Sequence, residues 1–217
     1  MQNKYRHIFF DLDGTLIDSG AGIINAVKYA LNKYNINENN PAVLRSFVGP
    51  PLNQQFIDCY NFSEEQSLKA VQYFREYYST TGILENNVYP QIPELLNSLY
   101  QMNLKLLIAS SKPEKFVKKI LAQHDLLKYF TFVGGSLFDG SRVNKDDVLS
   151  YVLTEMQIQQ FDDCIMIGDR KYDILGAKKF GFTSVGVTYG YGERCELQEV
   201  NADFLIDRPL ELIDIVI

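Results

Sequence analysis

The chain has no tryptophan, two histidines and three cysteines in 217 residues. A cysteine nucleophile would need His7 or His124 as its base, a sparse supply for that chemistry. Cys59, Cys164 and Cys195 are odd in number and far apart, without the C-x-x-C spacing of a zinc site or redox pair. Reduced thiols in a cytoplasmic protein are the expectation. After Lys4, Arg6 and His7 there is no apolar segment long enough for a signal peptide or a membrane span. Positive charge is also short: 21 Lys and Arg against 27 Asp and Glu give a net charge of -6 with no basic stripe, which argues against a nucleic-acid polymer as partner. Small anions remain open wherever cations are gathered locally. No internal repeat or low-complexity tract is present.

What is present is an ordinary apolar content, 46%, enough for a real core in one large domain or in a domain with a smaller companion. The stretch Ile8-Phe9-Phe10-Asp11-Leu12-Asp13-Gly14-Thr15-Leu16 organises the chain. Ile8 to Phe10 reads as a buried strand, and Gly14 marks a sharp exit from it. Asp11 and Asp13 therefore sit at a strand's carboxyl end, the edge that faces the ligand crevice in an open parallel sheet.

Beyond Asp18-Ser19-Gly20 the pattern turns helical. Ile23, Ile24, Val27, Leu31 and Tyr34 predict an amphipathic helix ending near Asn35, and a short helical stretch follows Pro41. After Gly49-Pro50-Pro51, Leu52, Phe56 and Cys59 resume a helix. Ser63-Glu64-Glu65-Gln66 has the form of a capping box, opening a helix with Leu68, Val71, Phe74 and Tyr78 on one face. Residues 20–84 thus read as a small helical subdomain inserted after the first strand, with Gly20 and Gly82 as hinge candidates.

From Val88 onward strand and helix alternate. Strands are predicted at Leu104 to Ala109, Thr131 to Val133, Cys164 to Ile167, Thr183 to Val187 and Phe204 to Ile206. Helices are expected at Pro93 to Met102, from Pro113, from Lys145, around Ile174 to Phe180 and from Pro209. This alternation predicts an α/β fold: a Rossmann-like parallel sheet with helices on both faces, formed by residues 1–19 and 85–217.

Three strand ends carry polar residues of complementary kinds: Asp11 with Asp13, then Ser110, then Asp169 with Asp173. Right-handed crossovers bring these ends to one edge, and Lys145 at the start of a helix can reach it. Carboxylates gathered in a crevice of low dielectric repel one another unless a cation joins them. Oxygen ligands with room for water and a phosphate describe Mg2+. Ser110 and Lys145 would supply donors to the phosphoryl oxygens. Taken singly, Ser110-Ser111 could cap a helix and Lys145 could be a solvated lysine.

Asp11-Leu12-Asp13-Gly14-Thr15, Ser110, Lys145 and Gly168-Asp169-Arg170-Lys171-Tyr172-Asp173 together resemble the four motifs of the haloacid dehalogenase superfamily, in the right order. Val48-Gly49-Pro50-Pro51-Leu52, Asn87 to Leu99 and Gly186-Val187-Thr188-Tyr189-Gly190 resemble its phosphoglycolate phosphatase-like subgroup. Gln91 departs from the subgroup, which commonly has glycine there. The resemblance implies a phosphatase, with Asp11 as nucleophile forming an aspartyl phosphate and Asp13 as general acid and base. It implies Mg2+ held by Asp11, the Asp13 backbone carbonyl, Asp169 and Asp173. Thr15, Ser110, Ser111 and Lys145 would surround the phosphate, and the helical insertion would be a cap domain. The partner is then a small phosphorylated metabolite, with no membrane involved. Two rival functions share these residues: a phosphomutase of the same superfamily, and a signalling module that holds its phosphoaspartate. Arg45, Asn53 and Gln54 are candidates for substrate selection in the insertion.

Overall fold

The structure, a computed structural model, describes residues 4–139 and 141–217. The chain divides into two units, one formed by the chain up to Ile17 with Val88–Ile217, the other by Asp18–Asn87. In chain order the elements are β1 (His7–Phe10), β2 (Ile17–Asp18), α1 (Gly20–Asn32), α2 (Pro41–Arg45), α3 (Leu52–Tyr60), α4 (Glu64–Tyr78), β3 (Asn87–Val88), α5 (Ile92–Gln101) and β4 (Lys105–Pro113). There follow α6 (Glu114–Gln123), β5 (Phe130–Ser136), α7 (Lys145–Glu155), β6 (Cys164–Gly168), α8 (Lys171–Lys179), β7 (Thr183–Val187), α9 (Arg194–Glu199), β8 (Phe204–Ile206) and α10 (Leu212–Val216).

The first unit is a six-stranded sheet of order β5-β4-β1-β6-β7-β8 with every pair parallel and helices on both faces. The chain winds outward through β4 and β5, then returns to the other side of β1 through β6, so the order reverses beside β1. That reversal opens a crevice at the carboxyl ends of β1, β4 and β6. The central strands carry apolar runs, Ile8–Phe10 in β1 and Leu106–Ala109 in β4, as strands covered on both faces do, and β6 is buried from end to end. On one face Phe9, Leu107 and Met166 meet Val148, Leu149 and Val152 of α7 and Ala177 of α8.

In the helical unit aromatic rings fill the interior. Phe47 and Phe56 lie 5.0 Å apart, Phe56 stacks on Phe62 at 6.0 Å, and Phe74 stacks on Tyr78 at 5.2 Å. The capping box opening α4 forms as expected, with Ser63 accepting from the Gln66 N–H and Gln66 accepting from the Ser63 N–H. The buried stripe of α4 is Ser67, Ala70, Phe74 and Tyr78, while Leu68 is exposed. Ser67 takes this inward place because its hydroxyl donates to the Asn53 carbonyl and side chain, which also gives Asn53 a structural partner. Gly22 and Gly82 pack closely: a Cβ on Gly22 would lie 2.0 Å from the Gly82 carbonyl oxygen, and one on Gly82 2.8 Å from that of Gly22. The two short strands β2 and β3 and helix α9 lie outside the sequence expectations, and β4 runs four residues past its last apolar side chain, Ala109.

Candidate active site

Asp11 leaves β1 with its backbone N–H donating to the Ile167 carbonyl of β6 at 2.9 Å, so the two neighbouring strands fix where its side chain begins. Gly14, with φ of +80°, makes the turn that follows, and there only glycine fits: a Cβ would lie 2.1 Å from Asp169 Oδ2. Gly190 is tight in the same way, since its Cβ would lie 2.3 Å from the Gly14 carbonyl oxygen. Two segments of backbone, the turn at Gly14 and the loop at Gly190, thus close on Asp169.

Asp169 is fully buried. Its Oδ2 accepts from the Tyr191 N–H at 2.8 Å and the Gly192 N–H at 3.3 Å, whereas its Oδ1 meets no hydrogen-bond donor. Burial, reinforced by the nearby Asp173 and Asp11 charges, pushes its carboxyl well above the ordinary range. Asp173 is also buried. Its Oδ2 accepts from the Arg170 N–H at 3.1 Å, and its pKa rises from 3.8 to about 6, chiefly through burial, with Lys145 pulling the other way. One carboxylate oxygen from each of Asp11, Asp169 and Asp173 lies within 4.8 Å of the others.

Lys145, the first residue of α7, enters this cluster with its side chain buried. Its Nζ donates to the Ala109 carbonyl at 2.6 Å and stands 3.0 Å from Asp11 Oδ1 and 2.8 Å from Asp173 Oδ1. Burial alone would favour neutral lysine; the two carboxylates outweigh it and hold its pKa above the ordinary value. Gly176 gives the stem its room, because a Cβ there would come within 2.9 Å of Lys145 Cγ.

Ser110 is buried, and its Oγ accepts from the Lys112 N–H at 3.3 Å. Helix α6 begins after Pro113 without a side-chain cap, so the capping role open to Ser110 and Ser111 does not occur. Ser111 is half-buried next in the strand. Thr15 is buried with no hydrogen-bond partner for its Oγ1, and its carbonyl accepts from the Tyr189 hydroxyl at 3.0 Å. The Asp13 carboxylate lies outside the three-acid group among the described residues. Instead both of its oxygens accept from Lys112 Nζ, at 2.7 and 3.0 Å. Lys112 is absent from the sequence expectations; the available signal was its place two residues beyond Ser110.

Three hard oxygen donors converging on one point, one of them without a protein donor, are the arrangement a divalent cation such as Mg2+ satisfies. With Asp11, Asp13, Asp169 and Asp173 against Lys112 and Lys145, four negative and two positive charges leave two negative ones when all are ionised, which one dication balances. A parallel α/β sheet with this edge has the parts that phosphoryl-handling chemistry requires.

The sequence profile of the haloacid dehalogenase-like hydrolase family matches residues 8–187. The chain belongs to that family and is a phosphatase. It is 40% identical to a 5'-nucleotidase of Pseudomonas aeruginosa over 195 residues, covering 90% of this chain and 88% of that one. It is 32% identical to a phosphoglycolate phosphatase of Vibrio parahaemolyticus, covering 99% and 97%. Among solved structures, a predicted phosphatase from Clostridium acetobutylicum superposes with a TM-score of 0.93 at 43% identity, over 98% of each chain. Among the described residues no helix is long and apolar enough to cross a membrane.

Proposed function

We propose that the protein hydrolyses a small phosphate monoester, phosphoglycolate-like in class, in a magnesium-dependent reaction through an aspartyl phosphate at Asp11. The observation that carries this reading is the Asp11, Asp169 and Asp173 carboxylate group within 4.8 Å, with the Lys145 ammonium between Asp11 and Asp173. Asp11 attacks phosphorus as the bond to the leaving oxygen breaks, and Asp13 gives that oxygen its proton. Water then attacks the aspartyl phosphate, its proton passing back to Asp13, and inorganic phosphate leaves with Asp11 restored. Lys145, Ser110, Ser111 and the unpartnered Thr15 hydroxyl are assigned to the phosphoryl oxygens. Asp11, the Asp13 carbonyl, Asp169 and Asp173 would hold the ion, which when bound supplies Lewis-acid stabilisation of the transferring group. The helical unit, Asp18–Asn87, is assigned the role of a cap.

The likeness to a 5'-nucleotidase at 40% identity favours a second substrate class, nucleoside 5'-monophosphates. Phosphate release measured over a panel holding both classes, with Mg2+ and after chelation, tests the reading. Steady metal-dependent release is expected. A retained phosphoenzyme without release would favour the signalling module, and isomerised sugar phosphate the phosphomutase.

A further inference from the structure

The reaction above gives Lys145 a task but leaves a second buried lysine unexplained. Lys112 lies in β4 two residues past Ser110, with its side chain 7% exposed, and its Nζ reaches both oxygens of Asp13, itself 13% exposed. Burying an ammonium is costly unless it is paired, and Lys112 sits far along the chain from its partner, so the strand edge itself holds the pair together. Two features fix the reach. The Lys112 N–H is tied to Ser110 Oγ, and β4 continues beside β5 as far as Pro113, opposite Ser136. The lysine stem therefore starts from a strand and not from a loose loop.

We infer that Lys112 is a positioning residue for Asp13: by gripping both carboxylate oxygens it sets the plane from which Asp13 meets the leaving group and the attacking water. A carboxylate on a single-bonded stem rotates freely in solvent, and proton transfer requires it within hydrogen-bond reach of the reacting oxygen. A two-point contact removes that rotation while leaving the outer lone pairs of each oxygen open. The inference rests on the proposed aspartyl-phosphate reading and adds to it a division of labour, in which Lys145 serves the nucleophile side of the edge and Lys112 the acid-base side.

The two half-reactions separate this role from others. With p-nitrophenyl phosphate the leaving phenolate needs no proton, so phosphorylation of Asp11 proceeds without a well-placed Asp13, whereas hydrolysis of the aspartyl phosphate still requires it. Lys112→Met is expected to show a burst of about one nitrophenolate per enzyme followed by turnover slowed about 30-fold or more, with larger losses on alkyl esters. Lys112→Arg, which restores a two-point donor, is expected to recover part of the slow step. If Lys112→Met folds poorly, Lys112→Gln replaces it, and retention of the Mg2+-induced rise in Tm identifies a folded variant. Equal loss of burst and turnover, or no loss of either, overturns the inference. Asp11→Asn run alongside keeps the two readings apart: its full activity would sink the aspartyl-phosphate reading, while an inactive Asp11→Asn beside a burst-free Lys112 variant would sink the positioning role alone.

Discussion

The α/β unit buries Lys145, Asp169 and Asp173, while the helical unit, among its described residues, buries no charged side chain and fills its interior with Phe47, Phe56, Phe62, Phe74 and Tyr78. The contrast teaches where stability and chemistry separate. Aromatic packing is favourable by itself, and the core of the helical unit carries no buried charge to offset among its described residues. Converging carboxylates oppose folding until a cation joins them, so the sheet edge holds an electrostatic cost that binding can relieve. Substitutions in the two units should then fail in different ways.

The largest effect is expected from Asp11→Asn, which keeps shape and removes the nucleophile; turnover should fall by at least about 10⁴-fold while Tm stays close to that of the parent. Phe56→Ala should do the reverse. Loss of a ring packed against Phe47 and Phe62 should cost about 3 to 5 kcal/mol. Hydrogen exchange should then quicken across residues 18–87 more than in β1 and β6, and equal quickening in both units would break the contrast.

Asp169→Asn sharpens it further. An amide can still accept from the Tyr191 N–H while its NH2 faces the other acids, so the metal-free protein should gain about 1 kcal/mol, lose activity and lose its thermal response to Mg2+. The pH dependence follows from the same burial. The folded state holds the Asp173 proton more tightly than the unfolded chain, so this contribution to stability is complete below about 3.8 and is lost as pH rises through about 6. Tm measured with and without Mg2+ should therefore diverge as pH rises from about 5 to about 7. A constant gap would mean that the buried acids are not what the ion relieves.

The smallest effect concerns Gln91, where the resembled subgroup has glycine. Its backbone takes φ of 69° at the start of α5, a conformation costly for residues with a Cβ. Gln91→Gly should raise stability by up to about 1 kcal/mol with activity unchanged, as read by denaturant unfolding.

Where an element depends on its own residues, the sequence was sufficient: β7 and β8 occupy the predicted segments, and the Ser63 capping box is local by nature. The convergence of Asp11, Asp169 and Asp173 was legible because handedness sends every strand's carboxyl end to one edge. Lys112 was not, since its partner lies 99 positions away and a lysine after a strand carries no local mark. The end of β4 was hidden for a related reason: apolar character stops at Ala109, yet pairing with β5 carries the strand to Pro113. In α4 the periodicity favoured Leu68 and Val71, but the buried stripe begins with Ser67, which hydrogen-bonds Asn53, and Ala70, while Phe74 and Tyr78 lie inward as expected.

The central claim is covalent transfer at the sheet edge. Rapid acid quenching during turnover, followed by mass spectrometry of the peptide containing Asp11, tests it most directly. The account predicts a phosphoryl adduct on that peptide, accumulating further when Asp13 is replaced by alanine. Turnover at full rate with that peptide unmodified at every quench time would contradict it.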